Sequence, residues 1–244
     1  MNADPLNVLS LFAGIGGLEL GLERAGMRTV GQVEIDPYCR RVLEKHWPDV
    51  PRHDDVRTAA DWWLSTERPT VDVICGGFPC QDISSANTAG NRKGLAGPKS
   101  GLWSAYRATV AAVRPSWVIV ENSPNWRKWT QPVREDLVAL GFHTIALRLP
   151  AGSFGAPHKR PRVLVVANAY GQGEPLLAIH EEVAELRPLP RRDHIPTRAR
   201  TMGVRDGVSN RMDRLRTLGN AVVPQVAEYV GRLIAAHHLA ERAA

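Results

Sequence analysis

Cysteine is scarce in this chain. Only Cys39, Cys75 and Cys80 occur among 244 residues. They are too few and too closely spaced for a disulfide framework, and none is paired as CxxC for zinc. A reducing, cytoplasmic setting is therefore expected, in which a thiol stays available for chemistry. No apolar run approaches the roughly 18 residues of a membrane span, so no membrane partner is expected. The opening MNADPLNVLSLF carries no basic n-region and no small-residue cleavage site, which argues against secretion. Internal repeats and low-complexity tracts are also lacking. No cluster of His, Cys and acidic residues has metal-ligand spacing, so no metal is expected.

What is present is the balance of an ordinary globular protein, with 43% hydrophobic and 23% charged residues. The length suits one moderate domain with a real core. The net charge is +6, and its placement is uneven: Arg187–Arg216 holds nine arginines against the three acids Asp193, Asp206 and Asp213. Such a stretch suits a phosphate backbone, with a solvated surface loop as the plain alternative.

The first two thirds alternate short apolar strands with helical patterns. Strands are predicted at Asn7–Phe12, Thr29–Ile35, Val71–Cys75, Trp117–Glu121, Thr144–Leu149 and Val163–Ala167. Helices are predicted at Gly17–Ala25, from Asp36-Pro37 to about His46, and at Thr58–Thr66, Leu102–Val113 and Pro132–Leu140. Strands alternating with helices imply an α/β fold with a doubly wound, mostly parallel sheet. After Ala167 the chain turns rich in Pro, Gly and Arg, with one short helix predicted around Leu177–Leu186. Pro224 then opens a helix to about Leu239.

The first strand runs into Phe12-Ala13-Gly14-Ile15-Gly16-Gly17 at the start of a helix. Glycines at such a turn let the backbone approach a ligand closely. Glu34, about twenty residues on, ends the next strand, where an acid can accept from two ribose hydroxyls. An adenosine-bearing cofactor follows. The spacing FAGIGG differs from GxGxxG, and a second acidic site occurs at Asp54-Asp55-Val56. Both favour S-adenosyl-L-methionine over a dinucleotide. Asp55 could accept from an adenine amino group; as a helix N-cap it would have a purely structural role.

Cys75 falls within a strand and reads as a small core residue. Cys80 falls in a different setting, the loop Gly76-Gly77-Phe78-Pro79-Cys80-Gln81 at the carboxyl end of a parallel strand. Open α/β sheets build their sites at that edge. A thiolate there could act as a nucleophile toward an electron-poor carbon. A free thiol has a pKa of about 8.5, so neighbouring arginines or a following helix would help to ionise it. The long polar segment Gln81–Gly101 reads as a mobile lid or a plain surface loop.

At this point the motifs carry a specific resemblance. FAGIGGLELGLERAG, VEIDPYC, GGFPCQDIS, VIVENS, GAPHKRPRV and LGNAVVP, in this order, resemble the motif set of the DNA (cytosine-5) methyltransferases from Val8 to about Ile234. The resemblance implies an S-adenosylmethionine-dependent, Rossmann-like domain with an inserted target-recognition region. It divides the chain into a catalytic domain over 1–167, a small basic recognition region over 168–216, and a completing segment over 217–244. It makes Cys80 the nucleophile and Glu121 the acid that contacts N3 and the exocyclic amine of a flipped cytosine. Arg160 and Arg162 would hold the base. Phe12, Ala13, Gly14, Ile15, Gly16, Gly17 and Leu18 would cradle the cofactor, with Glu34, Ile35, Asp55 and Val56 beside them. Pro79, Asn220 and Val222 would complete that pocket. Two positions depart from the family pattern: Ser123-Pro124 follows Glu121-Asn122 where valine is usual, and His158 stands where glutamine is common.

The expected partner is duplex DNA, in a bacterial or phage-infected cell; a cognate restriction endonuclease, phage self-protection and an orphan regulatory role are the open alternatives for its setting. The expected reaction is methyl transfer to carbon 5 of a cytosine flipped from the stack, since carbon 6 is out of reach inside the helix. The same chemistry on RNA and a catalytically silent DNA-binding homologue are the rival readings. An NAD-dependent oxidoreductase is a third.

Overall fold

The computed structural model describes residues 4–79, 102–156, 160–169 and 222–243, together with Leu176, Ile179 and Glu181. Among these residues seven strands form one sheet: β1 (Asn7–Leu11), β2 (Arg28–Val33), β3 (Arg52–His53), β4 (Val73–Gly76), β5 (Trp117–Asn122), β6 (His143–Pro150) and β7 (Pro161–Asn168). Their order across the sheet is β3-β2-β1-β4-β5-β7-β6. The first five run parallel, and β7 lies antiparallel to both β5 and β6. The mostly parallel α/β sheet expected from the sequence is thus observed, with one reversed strand.

Alternation along each strand feeds two cores. Leu9 and Leu11 of β1 and Val118 and Val120 of β5 pack on one face. Val8 of β1 and Trp117 and Ile119 of β5 pack on the other. Both faces of the central strands are covered, which is why β4 and β5 are buried throughout.

The helices are α1 (Gly17–Arg24), α2 (Pro37–His46), α3 (Ala59–Leu64), α4 (Trp103–Val113), α5 (Gln131–Ala139) and α6 (Pro224–Ala243). Residues of α3, α4 and α5 join the first core, and those of α1 and α6 the second. Helix α2 begins as its sequence dictates: Asp36 Oδ1 accepts from the Tyr38 and Cys39 N–H groups at 2.8 and 3.4 Å, and Pro37 opens the first turn.

Several boundaries differ from the sequence expectation. Strand β2 ends at Val33, so Glu34 and Ile35 lie just past it. The predicted Thr58–Thr66 helix is a 3-10 turn at Val56–Thr58 followed by α3. Helix α6 runs past Leu239 to Ala243. Within the predicted Leu177–Leu186 helix only Ile179 and Glu181 are described, and both are helical. Leu176 and Ile179 are buried in the core that α1 and α6 share.

Helix α6 returns the chain to its own start. A Cβ on Gly21 would collide with the Pro224 carbonyl and Ala227, and one on Gly17 would lie 2.6 Å from the Val222 carbonyl. Small residues on α1 therefore let the 222–227 backbone pass close to the glycine turn.

Candidate active site

The sheet changes winding direction between β1 and β4, and both strands end at the same edge. Ligands bind in the crevice at such a switch point. The glycine turn leaves β1 there. Phe12, Gly14 and Gly16 take positive φ values of 55, 59 and 86°; the first is unusual for a side-chain-bearing residue and marks local strain. Gly14 N–H donates to Glu34 Oε2 at 2.7 Å, and Asp36 N–H donates to Oε1 at 2.8 Å. The Arg40 guanidinium donates to the Glu34 and Ile35 carbonyls, both at 3.1 Å.

Glu34 is thus fixed between the turn and the start of α2. Burial raises its pKa, while the N–H groups of Asp36 and Gly14 oppose the rise. Ile35, beside it, is 66% exposed, an apolar surface at the rim of the turn. The Ala13 and Leu18 side chains are buried, Ile15 is half-buried, and Gly17 opens α1. Behind the turn the Trp47 ring fills the space a side chain on Gly16 would need, and its indole N–H donates to Glu23 Oε1 at 2.7 Å. Sequence reasoning missed Trp47, which lies beyond the end of α2 with no motif around it.

Asp55 caps the 3-10 turn by accepting from Arg57 N–H at 2.9 Å, and its carboxylate pairs with the Arg57 guanidinium at 2.6 Å. That hydrogen-bonded pair holds its carboxyl below the usual range. Val56 is buried beneath it. Asp55 thus caps the turn with its carboxylate hydrogen-bonded to Arg57.

Strand β4 leads into Gly77, Phe78 and Pro79; Cys80, the next residue, lies outside the described residues, as do His158 and Asn220. The root of its loop is nonetheless tied to β5. A Cβ on Gly77 would come 2.7 Å from Glu121 Oε2, so only glycine lets the loop lie against that carboxyl. The Asn122 amide donates to the Phe78 carbonyl at 2.9 Å. Cys75, within β4, is fully buried, and burial pushes its thiol far up. It is a core residue.

Glu121 is 7% exposed at the end of β5. Its Oε1 lies 2.8 Å from Arg162 Nε as an ion pair, though not aligned as a hydrogen bond. Burial pushes its pKa up to about 7, against the pull of Arg162 and Arg160. The reversal of β7 makes the pair possible. In the antiparallel register Glu121 faces Leu164 and Asn122 faces Val163, so the start of β7 adjoins the end of β5. Arg160, just before β7, takes a positive φ of 29°. Val222 reaches the same edge from the far end of the chain, against Gly17.

The structure thus brings together Glu121, Arg160, Arg162 and the root of the Cys80 loop, with the glycine turn and Glu34 alongside. Among the described residues no group of three or more His, Cys, Asp or Glu is arranged to hold a metal, and no helix is long and apolar enough to cross a membrane.

The model of the C-5 cytosine-specific DNA methylase family matches residues 6–194. The chain belongs to that family. It is 35% identical over 174 residues to the Type II methyltransferase M2.BsuMI of Bacillus subtilis, a match covering 68% of this chain and 42% of that one. It is 31% identical over 187 residues to the Type II methyltransferase M.AquIA of Picosynechococcus sp., covering 68% and 73%. The chain thus spans less than half the length of M2.BsuMI. The Dnmt2 methyltransferase of S. pombe, 20% identical, superposes with a TM-score of 0.55 over 68% of this chain and 51% of that one, a likeness of fold. Membership of the family implies use of S-adenosylmethionine.

Proposed function

We propose that this chain transfers a methyl group from S-adenosyl-L-methionine to carbon 5 of a flipped cytosine in duplex DNA, through a covalent adduct with Cys80. The observation that carries the reading is the buried Glu121 carboxyl, packed on Gly77 of the nucleophile loop and paired with Arg162.

The residues at the glycine turn fit the cofactor. Gly14, Gly16, Gly17 and Leu18 follow β1 at the switch point, with open space where a side chain on Gly14 would stand; Glu34 has lone pairs for ribose hydroxyls, and Ile35 offers an apolar face to an adenine. Asp55, Val56, Pro79, Asn220 and Val222 would line the remainder. When bound, S-adenosylmethionine supplies an electrophilic methyl group on a sulfonium, which carbon 5 takes as the carbon–sulfur bond breaks.

The chain's own residues do the rest. Cys80 Sγ bonds to carbon 6, and the electron pair displaced in the ring moves toward N3. Glu121 meets that charge with a hydrogen bond or its proton, and a carboxyl with a pKa of about 7 still carries a proton in about half the molecules at neutral pH. Arg160 and Arg162 hold the base. A base, water in this reading, then removes the carbon 5 proton, the carbon 6–sulfur bond breaks, and the thiolate returns.

The basic region over 168–216 would dock the DNA, with 1–167 and 217–244 forming the catalytic unit. A cytoplasmic setting and a partner restriction endonuclease fit the Type II names of the relatives. The decisive measurement is trapping on 5-fluorocytosine duplex DNA with S-adenosylmethionine. The wild-type chain gives a denaturation-resistant adduct and Cys80→Ser gives none. An adduct that persists in the serine variant, or labelled methyl entering transfer RNA but not duplex DNA, overturns the reading.

A further inference from the structure

Between β5 and α5 the chain forms a single π-helical turn, Trp126–Thr130. Such turns are rare and insert one extra residue per turn. Here the turn carries Trp129 back over the end of β5, where it is fully buried. Its indole N–H donates to the Ser123 carbonyl at 2.7 Å, two residues past Glu121. Its ring meets Phe78 edge-on, with centroids 5.9 Å apart and planes at 78°.

Phe78 lies two residues before Cys80, so Trp129 touches both the segment that follows the acid and the root of the nucleophile loop. The contacts continue as a row. Phe78 packs on Trp103 at 5.9 Å, Trp103 on Tyr106 at 5.2 Å, and Tyr106 on Phe12 of the glycine turn at 6.5 Å. Trp103 is pinned by its N–H to Asp136 Oδ2 at 2.7 Å, and the Tyr106 hydroxyl donates to the Ile119 carbonyl at 3.0 Å. Rings of this size, buried and hydrogen-bonded, have little freedom to shift. One rigid row therefore meets the cofactor turn, the nucleophile loop and the segment after the acid.

We propose that Trp129 is a positioning residue: its N–H to Ser123 and its ring against Phe78 fix the spacing between the Phe78 root of the nucleophile loop and the Glu121 carboxyl. The inference rests on the reaction proposed above. Addition of the thiolate and support of N3 must occur on one base together, and such chemistry is sensitive to displacements of about 1 Å.

Trp129→Phe keeps an aromatic ring and removes the N–H. The test is the rate of adduct formation on 5-fluorocytosine DNA at saturating cofactor, with the cofactor dissociation constant and thermal midpoint measured alongside. The expected result is a loss of roughly ten- to a hundredfold in trapping rate with cofactor affinity unchanged. Phe78→Leu, which keeps apolar volume and removes the edge contact, is expected to show the same split. A folded Trp129→Phe variant that traps at the wild-type rate overturns the proposal. So does a parallel loss of trapping, cofactor binding and stability in both variants, which marks a packing role alone. Absence of trapping by the wild-type chain sinks the proposed reaction instead.

Discussion

Glu19 is the third residue of α1, and a glutamate there would ordinarily complement the positive end of the helix in water. In this fold it is fully buried instead, and neither carboxyl oxygen makes a hydrogen bond. Burial raises its pKa from 4.5 to about 7, against the lesser pull of its own backbone N–H and of the Ser10 hydroxyl of β1. The consequence is a pH-dependent stability. Below pH 4.5 the folded and unfolded chains both hold the proton, and the group costs nothing through ionisation. Between 4.5 and 7 the unfolded chain releases the proton while the folded chain keeps it, so stability falls as pH rises. Above 7 both states are ionised and the loss levels off. Each pKa unit is worth about 1.36 kcal/mol, so the full loss is about 3 kcal/mol.

Glu19→Gln removes the titration and keeps the shape. Urea unfolding followed by tryptophan fluorescence between pH 4 and 8.5 gives the stability of both proteins. Glu121 also titrates near 7, but it is common to both chains and cancels in the difference. The stability of the variant relative to wild type is expected to rise by about 3 kcal/mol across that range. Curves that stay parallel would refute a Glu19 that is buried and protonated.

Two further outcomes follow from the geometry. Arg162→Gln takes away the charge that holds the Glu121 carboxyl down. Activity is expected to fall, and the alkaline limb of the trapping profile to move to higher pH, because Glu121 then keeps its proton longer; a limb that stays in place would separate Arg162 from that titration. Gly21→Ala forces a methyl group into the Pro224 carbonyl and Ala227. It is expected to lower unfolding stability by about 1–3 kcal/mol and to weaken cofactor binding measured by calorimetry, since α6 sets Val222 against the glycine turn.

The order of strands and helices was legible because periodicity and caps are local. Asp36-Pro37 starts α2 and Pro224 starts α6 by rules that need only a few neighbours. The candidate residues stood out for a related reason: a glycine turn, a loop cysteine and an arginine pair differ in kind from core residues. Asp55 illustrates the limit. Its sequence allowed both a cap and an adenine contact, and only the placed Arg57 side chain shows where its carboxylate is engaged.

By itself, then, the sequence determined the α/β class, the family and the residue types available for catalysis, because each is carried by neighbours along the chain. The tertiary structure alone decided which of them meet. Inserting β7 antiparallel between β5 and β6 brings Arg162 to 2.8 Å from Glu121; a parallel β7 would have left them at opposite edges of the sheet. Folding α1 onto the sheet hides Glu19, and the π turn brings Trp129 onto Phe78. These are contacts between residues far apart in sequence, and a strand's neighbours across a sheet are set by the packing of the whole core, which no local pattern encodes.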